Sequence, residues 1–247
     1  MNDDNIEKIK EDFYILHHIM AEYGWTDVVL THLSVRINED LFLISPFSLL
    51  FEDVKVEDLV VINLRGEIKN SVKYTVNPAG FLIHSTIYES RQDVGCVIHT
   101  HTDHGVAISC LREELLLADQ MSFMFHQQIG YHDFNGIATD KSEKESLVKD
   151  LGEKKCLILR NHGLLVTGSS IAEAFWNYFY LEKACRIHLS LLPRMQEISI
   201  VEDKIKQKTY EQHKKFNHSG GLVPGVPGNP ELAFLALKKK FIQERKR

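Results

Sequence analysis

Apolar residues at helical spacing run from Ile6 to Tyr23, and Gly24 comes directly after them. This pattern predicts an amphipathic first helix that ends at the glycine and covers a sheet. Two short apolar runs follow, at 41–44 and at 59–64, and each is bounded by turn residues. A short apolar run between turn residues is typical of a strand.

Further along the chain, helices and strands are predicted to alternate. Asn77 precedes a proline and predicts a helix over about 78–90, because asparagine caps free N–H groups and proline suits the first helical turn. A buried strand is predicted over 96–98, followed by a polar turn and a helix over about 103–110. Another strand is predicted over 156–159. This alternation indicates an α/β fold.

The last part of the chain contains fewer structural signals. Ser170 has a glutamate three residues later, which predicts the start of a helix whose apolar face packs in the core. From residue 195 the sequence turns polar, and a Gly- and Pro-rich stretch predicts a loop before a last helix from about Glu231. Without repeats or linkers, residues 1–247 are predicted to form a single domain, in which 195–247 is a C-terminal extension.

Composition narrows the function classes. The 29 Lys and Arg residues against 34 Asp and Glu give a net charge of −5, so a nucleic-acid partner is not expected. Neither a signal peptide nor an apolar run of about 18 residues is visible, so we expect a cytoplasmic protein without a membrane span. The four cysteines form no CxxC pair and are interpreted as buried reduced thiols: Cys96, Cys110, Cys156 and Cys185.

Histidines at the ends of two predicted strands form a candidate metal site. Residues i and i+2 of a strand point to the same face, so His99 and His101 can reach one ion, although the pair could also be two polar residues in a turn. His162 adds a third imidazole where the strand over 156–159 ends. Three neutral imidazoles and an open position are typical of catalytic zinc. His104 is either near the metal or substrate, or a surface residue.

These histidines lie in segments that resemble the class II aldolase/adducin domain, and the resemblance covers roughly residues 10–190. It is carried by NPAGFLIHSTIYESRQDVGCVIHTHTDHGVAIS, by LILRNHGLLVTGSSIAEAFWNYFYLEKACRIHL and by GWTDVVLTHLSVRIN. The resemblance implies a three-layer α/β/α sandwich around a central mixed β-sheet. It also implies one zinc or other divalent transition metal ion per chain, held by His99, His101 and His162, and a homo-oligomer, typically a tetramer.

The chain departs from the sugar-phosphate aldolases of that family at two places. Their Ser-Ser-Glu segment, whose Glu serves as base and metal ligand, is replaced here, and Gly80 stands where the carboxylate would be. Their Gly-Asn-x-Ser phosphate loop is replaced by residues 31–34, Thr-His-Leu-Ser. The chain therefore resembles the adducin-like branch, and cleavage of sugar phosphates is expected to be weak or absent.

Without a carboxylate at position 80, a catalytic base must come from elsewhere. The candidates are His104, Tyr131, His132 and metal-bound hydroxide, whereas Glu182 is interpreted as a surface or packing charge. His84 is expected to be a packing or hydrogen-bonding residue rather than a ligand.

Two functions of different classes remain open from the sequence. The first is a zinc-dependent carbon–carbon lyase, or a related dehydrating or epimerising enzyme, acting on a small hydroxycarbonyl substrate that is not a sugar phosphate. The second is an adducin-head-like module that oligomerises or binds the actin cytoskeleton without catalysis. Three convergent imidazoles favour the enzyme, since a purely structural domain has no chemical need for them.

Overall fold

A seven-stranded sheet lies at the centre of the computed structural model, which describes residues 3–136, 141–219 and 225–245. The strands are β1 (His32–Arg36), β2 (Leu41–Ile44), β3 (Val60–Asn63), β4 (Cys96–Thr100), β5 (Ile129–His132), β6 (Cys156–Leu159) and β7 (Gly163–Gly168). The α-helices are α1 (Asp3–Glu22), α2 (Pro78–Ser90), α3 (Asp103–Ser109), α4 (Lys141–Leu151), α5 (Ile171–Leu191), α6 (Asp203–Ser219) and α7 (Asn229–Glu244).

The sheet is mixed, and its strand order is β3-β2-β1-β4-β7-β6-β5. Neighbouring strands are antiparallel except for the parallel pair of β5 and β6. Strand β4 lies in the middle, where His99 is opposite His32 of β1 on one side and Leu165 of β7 on the other. The residues at the end of β4 are therefore surrounded by the two adjacent strands.

Helices cover both faces of the sheet. On one face, Phe13 of α1, Phe175 of α5 and Phe234 of α7 belong to one buried apolar cluster. On the other face, Ile83 of α2 and Leu147 of α4 belong to a second cluster. Because each face of the sheet is apolar, each needs its own helical layer to exclude water. The expected three-layer α/β/α sandwich around a mixed sheet is confirmed.

Several elements differ from the sequence expectation. Strand β1 lies outside the predicted elements, because it is short and lies in a turn-rich segment, although its alternation of polar and apolar residues suits a strand. Its polar residues His32 and Ser34 are buried. Strands β5 and β7 were also missed, and β7 follows β6 through a tight turn in which Asn161 has a φ of +55°. Helix α6 lies in the polar stretch after residue 195, for which the sequence predicts no element, because this helix buries little more than His213 along its length.

Three of the four cysteines, Cys96, Cys156 and Cys185, are buried and unpaired as expected, but Cys110 is exposed at the end of α3, so the expectation of a buried thiol is wrong there. Across the described part of the chain, no helix has both the length and the apolar character needed to cross a membrane.

Candidate metal centre

Two neighbouring strands position the three predicted metal-binding histidines. His99 is the fourth residue of β4, His101 follows its end, and His162 lies in the turn between β6 and β7. Since β7 is antiparallel to β4, its beginning lies beside the end of β4. Gly163 permits this approach, because a Cβ there would lie 2.3 Å from the backbone oxygen of Thr100. The two strand ends thus meet at one point.

The Nε2 atoms of the three histidines converge. They are 2.9 Å apart between His99 and His101, 3.2 Å between His99 and His162, and 3.0 Å between His101 and His162. With zinc–nitrogen bonds of about 2.0–2.1 Å, a tetrahedral site places its nitrogens about 3.3–3.4 Å apart. Among the described residues, these are the only three His, Cys, Asp or Glu side chains that meet in such a cluster.

Hydrogen bonds behind the rings determine which nitrogens carry the protons. The Nδ1–H of His99 donates to the backbone oxygen of Leu164 at 2.9 Å, and that of His101 donates to Oδ2 of Asp27 at 2.9 Å. A neutral imidazole has one N–H, so the Nε2 atoms of both rings point lone pairs at each other. These lone pairs repel unless a cation or proton lies between them. The donor set therefore fits a divalent metal ion.

The environment keeps two of these imidazoles, those of His99 and His162, neutral, as metal ligands must be. Burial lowers the pKa of His99 well below its usual value, and the neighbouring histidines lower it further. Burial likewise lowers the pKa of His162 to about 4, with a further contribution from His101. Both rings are therefore in the neutral, uncharged form at neutral pH.

Sequence reasoning missed Asp27, the carboxylate that orients His101. It lies in the loop between α1 and β1, where the next residue, Val28, has a φ of +48° and is 68% exposed. A histidine ligand normally donates its second N–H to such a partner, which fixes the ring and raises its basicity. No spacing rule relates Asp27 to a histidine 74 residues later, so only the folded loop reveals the pair.

A cavity of about 460 Å³ opens beside His101 and contains the candidate base His104. The Nδ1–H of His104 donates to Oε1 of Glu182 at 2.8 Å, and Oγ1 of Thr102 donates to Oε2 at 2.6 Å. Glu182 is buried, whereas 43% of the His104 side chain is exposed. Glu182 is therefore a hydrogen-bonded cavity residue rather than a surface charge. Other residues that line the cavity are Trp25, Phe179, Lys183 and Arg186.

The other two candidate bases are engaged elsewhere. The hydroxyl of Tyr131 accepts a hydrogen bond from the backbone N–H of Leu115, and burial raises the pKa of Tyr131 to about 12. His132 contacts Asp150 through Nδ1 at 2.8 Å and Glu143 through Nε2 at 3.0 Å. Burial lowers the pKa of His132, but the two carboxylates outweigh it and the pKa is raised. His132 therefore has no free ring nitrogen, and the hydroxyl of Tyr131 is held by the backbone of Leu115.

The space beside Gly80 is filled by His32. A Cβ on Gly80 would lie 2.9 Å from Cδ2 of His32 and 3.0 Å from its Cγ and Nε2. The His32 ring also contacts His99, with 4.8 Å between ring centroids. His84 lies behind His32, where its Nε2 is 2.8 Å from Nδ1 of His32. An imidazole thus occupies the place where the sugar-phosphate aldolases are expected to hold a carboxylate.

The first turn of α2 has few free hydrogen-bond donors. Oδ1 of Asn77 accepts from the backbone N–H of Ala79 at 3.0 Å and from that of Gly80 at 3.3 Å. Pro78 has no N–H. A phosphate group bound at a helix N-terminus needs these N–H groups. Here the chain's own side chain already uses them.

Comparison with known proteins shows what this chain is similar to. The family model described as class II aldolase and adducin N-terminal domain matches residues 11–189, which confirms the resemblance over about 10–190. A putative aldolase class 2 protein of Caulobacter vibrioides is 37% identical over 217 residues, which cover 87% of this chain and 84% of that protein.

An adducin and a sugar-phosphate aldolase are both similar to this chain. Alpha-adducin of Rattus norvegicus is 41% identical over 175 residues, which cover 69% of this chain but 24% of adducin. The chain therefore spans about a quarter of that protein. The solved structure of L-fuculose 1-phosphate aldolase from Glaciozyma antarctica PI12 has a TM-score of 0.78 and 28% identity, and the match covers 96% of this chain and 90% of that one.

Proposed function

The chain belongs to the family of class II aldolase and adducin N-terminal domains, and from this membership we propose that it is a metal-dependent enzyme that cleaves or enolises a small, unphosphorylated hydroxycarbonyl compound. The observation that carries the proposal is the convergence of three Nε2 atoms within 2.9–3.2 Å of one another. The hydrogen bonds behind two of the rings leave their lone pairs directed at a common point.

In this proposal His99, His101 and His162 hold one zinc ion, or another divalent transition metal ion, per chain. When bound, the ion supplies Lewis-acid chemistry, polarising a carbonyl and stabilising an enediolate. Asp27 and the backbone oxygen of Leu164 hold two of the rings in the tautomer that presents Nε2 to the ion. The open side of the centre receives the substrate carbonyl.

We propose His104 as the general base. Its Nδ1–H is held by Glu182, so its Nε2 carries the lone pair that accepts a proton from the substrate. Glu182 fixes the ring and stabilises the imidazolium that forms when the proton is accepted, as the carboxylate of a catalytic triad does. Thr102 donates to the second oxygen of Glu182, which keeps this buried carboxylate hydrogen-bonded throughout.

The substrate class follows from α2. L-fuculose 1-phosphate is the compound named for the Glaciozyma enzyme, but in this chain Asn77 caps the backbone N–H groups that a phosphate would need. Pro78 supplies none. An uncharged hydroxycarbonyl compound requires no such donors, and we therefore propose a substrate without phosphate.

We also propose that the enzyme is a cytoplasmic homo-oligomer, with a tetramer as the expected form. The loop that carries Asp27 exposes two apolar side chains, Val28 at 68% and Leu30 at 45%. Adjacent exposed apolar residues beside a functional site are typical of a surface covered by another chain. The buried, unpaired thiols of Cys96, Cys156 and Cys185 suit a reducing compartment.

An adducin-head-like module is the second candidate function. The 41% identity to alpha-adducin over 175 residues favours it. In this alternative the domain oligomerises or binds the actin cytoskeleton, and the histidines have no catalytic task. The two candidates differ in one measurable property, since only the enzyme requires a tightly bound metal ion.

Calorimetric titration of zinc into chelator-treated protein tests the proposal. We expect one site per chain, lost in His99→Ala and in His162→Ala and retained in His218→Ala, which removes an exposed histidine of α6 as a matched control. A screen of unphosphorylated hydroxycarbonyl compounds should then show aldehyde release that depends on metal and on His104. Full zinc binding in the two triad variants would contradict the proposed centre, and a metal-replete protein inactive on all such compounds would favour the adducin-like module.

A further inference from the structure

One face of β1 and one face of α2 form a continuous polar contact inside the apolar layer. His32 and Ser34 are two residues apart on β1 and point to the same face. Gly80, His84 and Tyr88 are spaced four apart on α2 and form one stripe. The His32 ring lies along one turn of this stripe, with Gly80 at one edge and His84 at the other. All five residues are buried.

Three hydrogen bonds link these side chains into a chain. The hydroxyl of Tyr88 is 2.8 Å from Oγ of Ser34, and this Oγ contacts Nδ1 of His84. Nε2 of His84 is 2.8 Å from Nδ1 of His32. Four groups, two hydroxyls and two neutral imidazoles, thus bring four protons to three links. One proton must be left over, either at one end of the chain or on Ser34, whose oxygen can accept from both neighbours. Ser34 is fully buried and has no further hydrogen-bond partner among the described residues, so a proton left there is as unfavourable as one left on a buried end.

The two ends of this chain are not equivalent. If the protons point inward, the unused one is on the hydroxyl of Tyr88, which is fully buried and has only Ser34 as a partner among the described residues. A buried donor without an acceptor is strongly unfavourable. If the protons point outward, Tyr88 donates to Ser34, Ser34 to His84 and His84 to His32. The unused proton is then on Nε2 of His32, which has no side-chain hydrogen bond among the described residues. Unlike Tyr88 and Ser34, His32 keeps 5% of its surface exposed and its Nε2 is not fully enclosed, so an outside acceptor can reach this proton.

We propose that His32 presents a neutral Nε2–H to the metal centre, held in that tautomer by the buried chain of His84, Ser34 and Tyr88, and that this N–H donates to an oxygen atom of the substrate. The proposal rests on the metal-dependent function proposed above, because the centre supplies the site that the substrate occupies. The His32 ring lies against His99 with 4.8 Å between centroids.

This assignment explains why position 80 is glycine and defines what the substrate must offer. The His32 ring fills the space in which a larger residue 80 would place its Cβ, at 2.9–3.0 Å from three ring atoms. A carboxylate in that space accepts protons, whereas a neutral N–H only donates one. The site therefore binds a substrate oxygen, such as a hydroxyl, carbonyl or enediolate oxygen, and His32 acts as a specificity-determining donor rather than as the base.

The tautomer can be measured directly on metal-free protein. Long-range proton–nitrogen NMR spectra of protein labelled with ¹⁵N-histidine distinguish protonated from unprotonated ring nitrogens, and the His32 signals are assigned by their loss in His32→Phe. We expect a protonated Nε2 and an unprotonated Nδ1 in His32. In His84→Phe, Nδ1 of His32 loses the N–H that it accepts, so the proton should be shared between the two ring nitrogens. Tyr180→Phe, which changes a tyrosine outside this chain, should leave the spectrum unchanged. An unprotonated Nε2 in the unaltered protein would overturn the proposal.

Binding of a ligand with substrate-like oxygen atoms provides a second test of the proposal. Glycolohydroxamate, a planar chelator with oxygen donors, is titrated into zinc-loaded protein. We expect His32→Phe to weaken it about ten-fold or more while zinc content stays constant, and His32→Gln, which restores an N–H donor, to recover part of the affinity. Unchanged affinity in His32→Phe would reject His32 as the donor. If the unaltered protein bound no zinc, both the proposed function and the proposed contact between His32 and the substrate would be rejected. The NMR experiment on metal-free protein would still decide the tautomer of His32.

Discussion

Removing the carboxylate of Asp27 should weaken metal binding without touching a ligand. In Asp27→Ala, His101 loses the acceptor that holds its Nδ1–H at 2.9 Å. The ring can then rotate, and its proton can move to Nε2, the atom that the metal needs. Losing such a partner typically costs about 10- to 100-fold in metal affinity, or about 1.4–2.7 kcal/mol.

The structure favours the lower end of this range. The Asp27 side chain is 39% exposed, so water can replace part of the lost hydrogen bond. His99 keeps its own partner, the backbone oxygen of Leu164, because no side-chain substitution removes it. We therefore expect zinc affinity to fall about ten-fold rather than a hundred-fold.

Competition with a chromophoric zinc chelator measures this change. The matched control is Asp103→Ala, which removes an exposed carboxylate from the same cavity without removing a partner of any ligand. Thermal unfolding of both metal-free variants checks that the fold is intact. Equal zinc affinity in Asp27→Ala and in the unaltered protein would refute the reasoning that Asp27 holds His101 in its ligating tautomer.

Four further outcomes are expected. Gly80→Glu should not give cleavage of fuculose phosphate or ribulose phosphate, and brisk turnover of either compound by the unmodified protein would contradict the assigned substrate class. The same substitution should lower the free energy of unfolding in urea titrations by about 1–3 kcal/mol, since its Cβ would lie 2.9 Å from the His32 ring. His84→Ala should lower the melting temperature more than the zinc content, because His84 is a buried hydrogen-bonding residue, and loss of zinc with an unchanged melting temperature would argue otherwise. The raised pKa of His132 means that its paired imidazolium stabilises the fold fully below pH 6.5, the pKa of an unperturbed histidine, and that this contribution is lost as pH rises through the folded pKa. The unfolding free energy should therefore fall with pH in that range, and His132→Gln should flatten the slope. Light scattering should give a multiple of 28.4 kDa, and a monomer mass at micromolar concentration would count against the oligomer.

The sequence alone determined the features that depend on near neighbours in the chain. Asn77 caps α2 and Ser170 caps α5, where the local capping signals predict these helix starts. The i, i+2 spacing of His99 and His101 fixes their common face on any strand. The position of His162 at the end of the strand over 156–159 made it a candidate third ligand. The resemblance added the sandwich fold and the convergence of all three histidines on one ion, which residue spacing alone does not determine.

The tertiary structure decided the features that depend on distant segments. Strand β1 alternates polar and apolar residues, and only its position between β2 and β4 buries the polar side chains of His32 and Ser34. Asp27, His32 and Glu182 each act on residues 52 to 78 positions away. The role of each residue depends on the direction in which its loop, strand or helix runs relative to the sheet. That direction is set by the packing of helices on both apolar faces of the sheet rather than by local propensity.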